Sequence, residues 1–167
     1  MANLDRQTYK SSWNPNAAEM VMKFNDDSSA GAAGVYTASV TIPAGAYVSD
    51  IIIQSVTTWN AGTEANLVVG DGDDPNGYLE ATSMQTVLTT GIHTSILACG
   101  AGAAGLGAAG VYIMDSSGTG SGSYKATARQ VIAEITTTGR AASAGETRIV
   151  VIWVKPTDTV KSSYVAT

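Results

Sequence analysis

Three carboxylates and one side-chain amide are concentrated in the segment Asp71-Gly72-Asp73-Asp74-Pro75-Asn76-Gly77. Several oxygen ligands that converge from one turn are what calcium requires. The candidate ligands are Asp71, Asp73, Asp74 and Asn76. The spacing departs from that of an EF-hand, because Pro75 occupies the third ligand position, Gly77 comes one residue late and no glutamate follows at the required distance. Asp and Asn also cap their own turns, so we predict a structural turn, with calcium binding as the alternative.

A second pattern, Gly100-Ala101-Gly102-Ala103-Ala104-Gly105, matches the GxGxxG fingerprint of dinucleotide-binding folds. In those folds the third glycine opens a helix that holds pyrophosphate, and an acidic residue about 20 positions further on binds the ribose. Here the glycine-rich residues 106–110 are poor helix formers, Asp115 comes too early and Glu134 comes too late. We interpret the match as a consequence of composition and predict no cofactor.

His93 and Cys99 are the only residues of their types, so one Cys/His nucleophilic pair is arithmetically available. Cys99 ends the apolar run Ile96-Leu97-Ala98-Cys99, where a free thiol is usually a small buried hydrophobe with a raised pKa. No second histidine is available to share a metal. We therefore predict that the protein is not an enzyme, and a single cysteine excludes an intrachain disulfide.

Three tryptophans and seven tyrosines could supply a sugar-binding surface. Aromatic residues in strands are more often core residues, and Trp59 fits that role at the end of a β-branched run. The residues that we predict at interfaces with other subunits are Tyr9, Trp13 and Trp153.

The elements that would position these residues are β-strands. Val35 to Ile42 alternates small polar residues with Tyr36, Ala38, Val40 and Ile42, which is the period of a half-buried strand. The other segments for which we predict strands are Glu19–Asn25, Tyr47–Trp59, Asn66–Val69, Met84–Leu88, Ser123–Thr127, Gln130–Thr138 and Thr147–Lys155. Pro43-Ala44-Gly45 and Asn60-Ala61-Gly62 supply turns between them.

These strands predict an all-β protein: a single antiparallel β-sandwich or jelly roll of about eight strands. The last strand is apolar on both faces, which predicts a central place in a sheet or contact with a second subunit. We assign residues 1–15 to an N-terminal arm and residues 16–167 to the sandwich domain. Within that domain, residues 91–122 form a Gly/Ala/Ser-rich insertion, in which Val111–Met114 alone has strand character.

The composition narrows the choice of partners. The chain has 167 residues, a formal net charge of −5 and only 14% charged residues. Its few basic residues are scattered, so we expect no binding to nucleic acid. Residues 96–114 lack charge but consist mostly of glycine and alanine, so we expect no membrane span. The N-terminus lacks the apolar core of a signal peptide, which favours assembly in the cytoplasm.

One block of the sequence carries a resemblance. A strand is followed by "IPAGA", a strand with "DIII", a "WNAGT" corner and then "VGDGDDPNGYL", between Val35 and Leu79. This order resembles that of structural proteins of tailed bacteriophage heads, in particular the β-sandwich or jelly-roll decoration (cement) proteins. The positions that match the final motif are Gly70, Asp71, Asp74, Pro75, Tyr78 and Leu79.

The resemblance implies a virion protein that is located on the capsid surface, is assembled in the host cytoplasm and stabilises the head. It further implies a homo-oligomer, with a trimer favoured, and the major capsid protein as partner. It brings no family active site. The alternative from a different class is a head-fibre or adhesin module that binds host glycan through an aromatic surface.

Overall fold

The computed structural model describes residues 15–26, 33–93, 112 and 123–155. Within these ranges the chain forms eight β-strands. They are β1 (Asn16–Lys23), β2 (Val35–Ile42), β3 (Tyr47–Thr57), β4 (Glu64–Gly70), β5 (Leu79–Ser83), β6 (Gly91–His93), β7 (Arg129–Thr138) and β8 (Glu146–Val154). No helix among these residues is long and apolar enough to cross a membrane.

The strands form two four-stranded antiparallel sheets that pack as a β-sandwich. Sheet A has the order β1-β8-β3-β6, and sheet B has the order β2-β7-β4-β5. The first strand pairs with the eighth, the second with the seventh, the third with the sixth and the fourth with the fifth. This nested pairing is that of one long antiparallel hairpin rolled into two sheets, which is the jelly-roll arrangement.

Alternation along the strands decides which side chains form the core. In β8, Ile149 and Val151 are fully buried between the sheets, whereas Val150 and Ile152 point outward and are half-buried. In β2, the threonine and serine residues are exposed and Tyr36 is buried. Of the two alternatives predicted for the last strand, the central place in a sheet is observed, because β8 lies between β1 and β3.

Trp59, just beyond the end of β3, is one of the largest fully buried side chains of the core. Its ring packs edge-on against Tyr36, with centroids 4.7 Å apart, and its Nε1–H donates to Thr147 Oγ1 at 2.8 Å. A side chain at Gly145 would overlap the Trp59 ring, and Gly145 has a positive φ of 150°. The turn before β8 therefore requires glycine for two independent reasons.

The sequence predicted the strands best where the pattern is local. The predicted bounds of β2 are the observed ones, whereas β1 begins at Asn16 and ends at Lys23 instead of spanning residues 19–25. The predicted strand at Met84–Leu88 is wrong, because the amides of Val87 and Leu88 turn back to the carbonyl of Ser83. Two short strands, β5 and β6, lie on either side of this turn.

The predicted strand at Ser123–Thr127 is also wrong. The backbone here pairs only once with β3, through a single bridge between Tyr124 and Tyr47. The Ser123 carbonyl accepts from the amide of Val48 and from Arg129, and the Lys125 carbonyl accepts from Gly45. These hydrogen bonds hold the segment against the turn before β3, and the segment does not form a regular strand pairing. The strand character predicted for Val111–Met114 falls outside the described residues except at Tyr112.

Candidate functional site

The acidic segment that follows β4 forms a compact turn centred on Asp71. The Asp71 amide donates to the carbonyl of Asp74 at 2.9 Å, and the Gly77 amide donates to the same carbonyl at 3.1 Å. The Asp71 carboxylate reaches forward over the turn, and its Oδ1 accepts from the amides of Asp73 and Asp74 at 3.0 and 3.1 Å. The turn thus satisfies its own backbone through side-chain capping.

Gly70, the last residue of β4, allows this turn to close. A Cβ atom at this position would overlap the backbone of Asp74 and Pro75. Gly72, by contrast, is exposed at the outside of the turn and has open space where a Cβ would lie. Of these two glycines, only Gly70 lies at a close approach of backbone to backbone.

Two basic side chains from later in the sequence neutralise the carboxylates of the turn. Arg129, at the start of β7, places Nε 3.7 Å from Asp71 Oδ2, and both side chains are buried. Lys125 places Nζ 3.8 Å from the same oxygen and also hydrogen-bonds to Asp73. Asp71 is 2% exposed and Asp73 is 78% exposed, so the two ion pairs differ in their surroundings. The hydrogen bond from Lys125 lowers the pKa of Asp73.

Two tyrosines complete the arrangement. The hydroxyl of Tyr112 donates to Asp71 Oδ1 at 2.9 Å, and its amide donates to the carbonyl of Gly77 at 2.8 Å. Its ring packs edge-on against Tyr78, whose hydroxyl accepts from Arg129 at 2.9 Å. Burial raises the pKa of Tyr78 to about 12. Burial, followed by the hydrogen bond to Asp71, also raises the pKa of Tyr112.

We name these residues the Asp71 cluster. Its members are Asp71, Asp73, Tyr78, Tyr112, Lys125 and Arg129. The carboxylate of Asp71 already accepts three hydrogen bonds and faces two cations, and the tyrosines are held in their neutral form. Such groups are suited to connecting segments of the chain, and not to proton transfer near neutral pH.

The four predicted calcium ligands do lie together in this turn. However, the side chains of Lys125 and Arg129 already form ion pairs with its carboxylates. Asn76 turns away, and its amide nitrogen donates to Glu80 at 2.6 Å. In the part of the chain that the structure describes, no group of three or more His, Cys, Asp or Glu side chains is arranged to hold a metal. The observed ion pairs and hydrogen bonds account for the acidic residues as turn-forming groups.

The other predicted site residues are dispersed. Trp153 is half-buried near the end of β8, paired with Asn16 and Val48, and packs against the core. His93 ends β6, with Nε2 2.8 Å from the carbonyl of Thr89. Tyr9, Trp13, Cys99 and the glycine-rich residues 100–105 lie outside the described residues, so the predictions made for them remain predictions.

Sequence reasoning missed the basic and aromatic members of the Asp71 cluster. Lys125 and Tyr112 contact acids that are 52 and 41 residues away in the sequence. No local spacing connects such residues, because it is the pairing of β4 with β7 in sheet B that brings the start of β7 beside the end of β4. The one available signal was Arg129 itself, a basic residue at the start of the alternating strand β7.

The structure is therefore a jelly-roll sandwich in which a buried ionic cluster joins segments that are distant in the sequence. No protein-family model and no curated protein sequence matches the chain. Its structure is similar to a chain of the cyanophage Pam1 capsid asymmetric unit, with 16% identity, 93% of this chain and 95% of that chain covered, and a TM-score of 0.51.

Two further similarities come from other bacteriophage capsids. One is to a chain of the acidic stable capsid structure of Helicobacter pylori bacteriophage KHP30, with 16% identity, 86% and 89% coverage and a TM-score of 0.46. The other is to a chain of the capsid of Ralstonia phage GP4, with 13% identity, 86% coverage of both chains and a TM-score of 0.45. At these identities, the Pam1 similarity shows a shared fold.

Proposed function

We propose that this protein is a structural component of a bacteriophage virion. The observation that carries the proposal is the similarity to a Pam1 capsid chain over nearly the whole length of both chains. The two chains are therefore of nearly equal size, and the similarity extends over almost all of each.

Within the virion, we propose a decoration role on the outer surface of the head. The protein associates with copies of itself, as a trimer, and binds the major capsid protein beneath it. Its contribution is burial of surface between capsid subunits, which resists expansion of the head. The low charged fraction of 14% suits such packing, and the Asp71 cluster supports a structural, non-catalytic role because its polar groups are engaged with one another.

The domain organisation follows from the same proposal. Residues 1–15 act as an arm that reaches a neighbouring subunit, with Tyr9 and Trp13 as anchors, and residues 16–167 form the sandwich domain. Trp153, at the sheet end where β1 begins, lies where such an arm would leave the domain.

The experiment is to separate heads from tails of the phage that encodes this chain and to identify the proteins of each fraction by mass spectrometry. We expect the chain in the head fraction, and we expect heads made without it to lose DNA at lower temperature and lower salt. Purified protein added back restores the resistance. Recovery of the chain in tails or fibres together with glycan binding would support the adhesin alternative and overturn the decoration role.

A further inference from the structure

Each sheet formed by the described strands has two edge strands, and one of the four differs from the others. The edges of sheet A are β1 and β6, and those of sheet B are β2 and β5. β1 carries Glu19 and Lys23, β6 has three residues, and β5 has five residues and a register shift in its pairing with β4. Charges, shortness and bulges keep an edge strand from pairing with a further chain segment.

Strand β2 has none of these features. Its eight residues include no charge and no proline, and its pairing with β7 is unbroken from Val35 to Ile42. Ala38 and Val40, on the inner side of β2, pack against the core but are only partly buried. A long, regular and uncharged edge of this kind is a site at which a further strand can add.

The register identifies which backbone groups face the free side of β2. The Thr137 amide donates to the Gly34 carbonyl at 2.9 Å, so these two residues form a hydrogen-bonded pair of the β2–β7 ladder. Such pairs alternate with non-hydrogen-bonded pairs in an antiparallel ladder. The residues whose amides and carbonyls point away from β7 are therefore Val35, Thr37, Ser39 and Thr41. Within the described residues, no backbone partner for these groups is present.

The chain leaves sheet A at the end of the sandwich where β2 also ends. β8 ends at Val154, which pairs with Tyr47, and Tyr47 follows β2 after the turn at residues 43–46. β2 and β8 therefore run towards the same end. Pro156 lacks the amide that a central strand needs, which favours a change of direction after Lys155. A chain that turns back here runs antiparallel to β2.

The free side of β2 is within reach of the residues that follow β8. With strands about 4.8 Å apart and sheets about 10 Å apart, the place beside β2 lies about 14 Å from the end of β8. Five extended residues, 155–159, span up to about 17 Å. Residues 1–14, by contrast, precede Asn16, which pairs with Trp153 at this same end. Along β2 they would run parallel to it, and parallel pairing is the less stable of the two.

The residues from Val160 onward have the alternation that an added strand requires. In an extended chain, the residues on one side are Val160, Ser162, Tyr164 and Ala166, and those on the other side are Lys161, Ser163, Val165 and Thr167. Tyr164 placed beside the small Ala38 covers the partly buried inner side of β2. The second set resembles the outer side of β2, which consists mainly of threonine and serine.

We infer that residues 160–167 of this chain add to sheet B as a fifth strand, antiparallel to β2, with Tyr164 beside Ala38. Main-chain hydrogen bonds to the free side of β2 attach the segment, and its inner side chains contact Ala38 and Val40. Because the segment belongs to the same chain, its effective concentration at β2 exceeds that of any other copy in dilute solution. It covers the edge through which isolated subunits would otherwise pair.

The test follows hydrogen exchange of the β2 amides by NMR in the full-length chain. The amides of Ala38 and Val40 bond to β7 and exchange slowly whether or not a strand is added. The amides that exchange slowly only beneath an added strand are those of Thr37, Ser39 and Thr41, and we call them the edge amides. In the unsubstituted chain we expect slow exchange at both sets. Fast exchange at the edge amides there would overturn the inference.

Two adjacent residues of the segment provide the variants. Tyr164→Asp puts a charge on the inner side of the added strand, and we expect the edge amides to exchange at least about tenfold faster. Val165→Asp is the matched control, because it puts the same charge on the outer side and should leave them slow. Equal exchange in the two variants would show that something other than this segment covers β2.

A disulfide identifies the chain that supplies the strand. In a Cys99→Ser background, Ser163→Cys combined with Ser39→Cys should form a bond within one chain, because these positions face each other in the inferred register. Ser162→Cys replaces Ser163→Cys in the control, since adjacent residues point to opposite sides. Equal yields from the two pairs would overturn the register, and covalent dimers would show that a second copy supplies the strand. Recovery of the chain in heads tests the virion role separately.

Discussion

The Nε atom of Arg129 and the Oδ2 atom of Asp71 face each other at 3.7 Å, with both side chains almost completely buried. Within the described residues, neither atom forms a hydrogen bond of its own. The pair thus depends on mutual charge neutralisation, while other atoms of both side chains bind the surrounding backbone and tyrosines. The start of β7 and the end of β4 are joined at this point.

Replacing Asp71 by Asn should destabilise the protein strongly. The substitution keeps the shape of the side chain but leaves the buried Arg129 guanidinium without its principal counter-charge. Breaking a buried pair in this way costs about 3 kcal/mol. The free energy of unfolding from urea denaturation measures it, and Asp73→Asn is the matched control because Asp73 is 78% exposed and should cost little. Equal losses in the two variants would contradict the role assigned to burial.

Stability at high pH should depend on Tyr78. Burial raises the pKa of Tyr78 to about 12, whereas an unfolded tyrosine titrates near pH 10. Between these values the unfolded state binds fewer protons than the folded state, so stability is fully present below pH 10 and falls as the pH rises towards 12. Tyr78 should account for a loss of about 1 kcal/mol by pH 11.

The measurement is the free energy of unfolding at a series of pH values for the unsubstituted protein and for Tyr78→Phe. The slope between pH 10 and 12 should be shallower in the variant, even if its stability at pH 8 is lower because the contact with Arg129 is lost. Identical slopes would show that Tyr78 does not hold its proton in the folded state.

The buried contact between Trp59 and Thr147 should be sensitive to the loss of one hydroxyl group. Thr147→Val keeps the volume but leaves the indole N–H of Trp59 without its acceptor, at a cost of about 2 kcal/mol. Thr147→Ser retains the hydroxyl and loses only a methyl group, so it should cost less. Thermal and urea unfolding decide the order, and a serine variant less stable than the valine variant would contradict it.

Two glycines in one turn should respond differently to alanine. Gly70→Ala places a methyl group against the backbone of Asp74 and Pro75, and we expect a loss of about 3 kcal/mol or a displaced turn. Gly72→Ala meets no atom within 4 Å and should change stability by less than about 0.5 kcal/mol. Comparable stability of the two variants would show that the turn is not closed as observed.

These residues also show what can be predicted from the sequence and why. Strand β2 follows from alternation within eight residues, and the central position of β8 follows from its apolar residues on both faces. Both are properties of a short window. Met84 and Leu88 are apolar as well, but backbone hydrogen bonds to the Ser83 carbonyl close their segment into a turn. Hydrophobicity alone does not predict these hydrogen bonds.

The Asp71 cluster could be predicted only in part from the sequence. The turn chemistry of the acidic segment is local, and the structural turn that it favours is present. The counter-charges come from Lys125 and Arg129, which reach the turn only after β4 and β7 have paired. A property that depends on the pairing of distant strands has no signature in the spacing of neighbouring residues.

A cryo-EM reconstruction of intact heads of the phage that encodes this protein tests its virion role most directly. We expect density for an eight-stranded sandwich on the outer surface of the head, in contact with the major capsid protein. A head whose outer surface lacks this sandwich, in particles shown by mass spectrometry to contain no copy of the chain in the head, would contradict it.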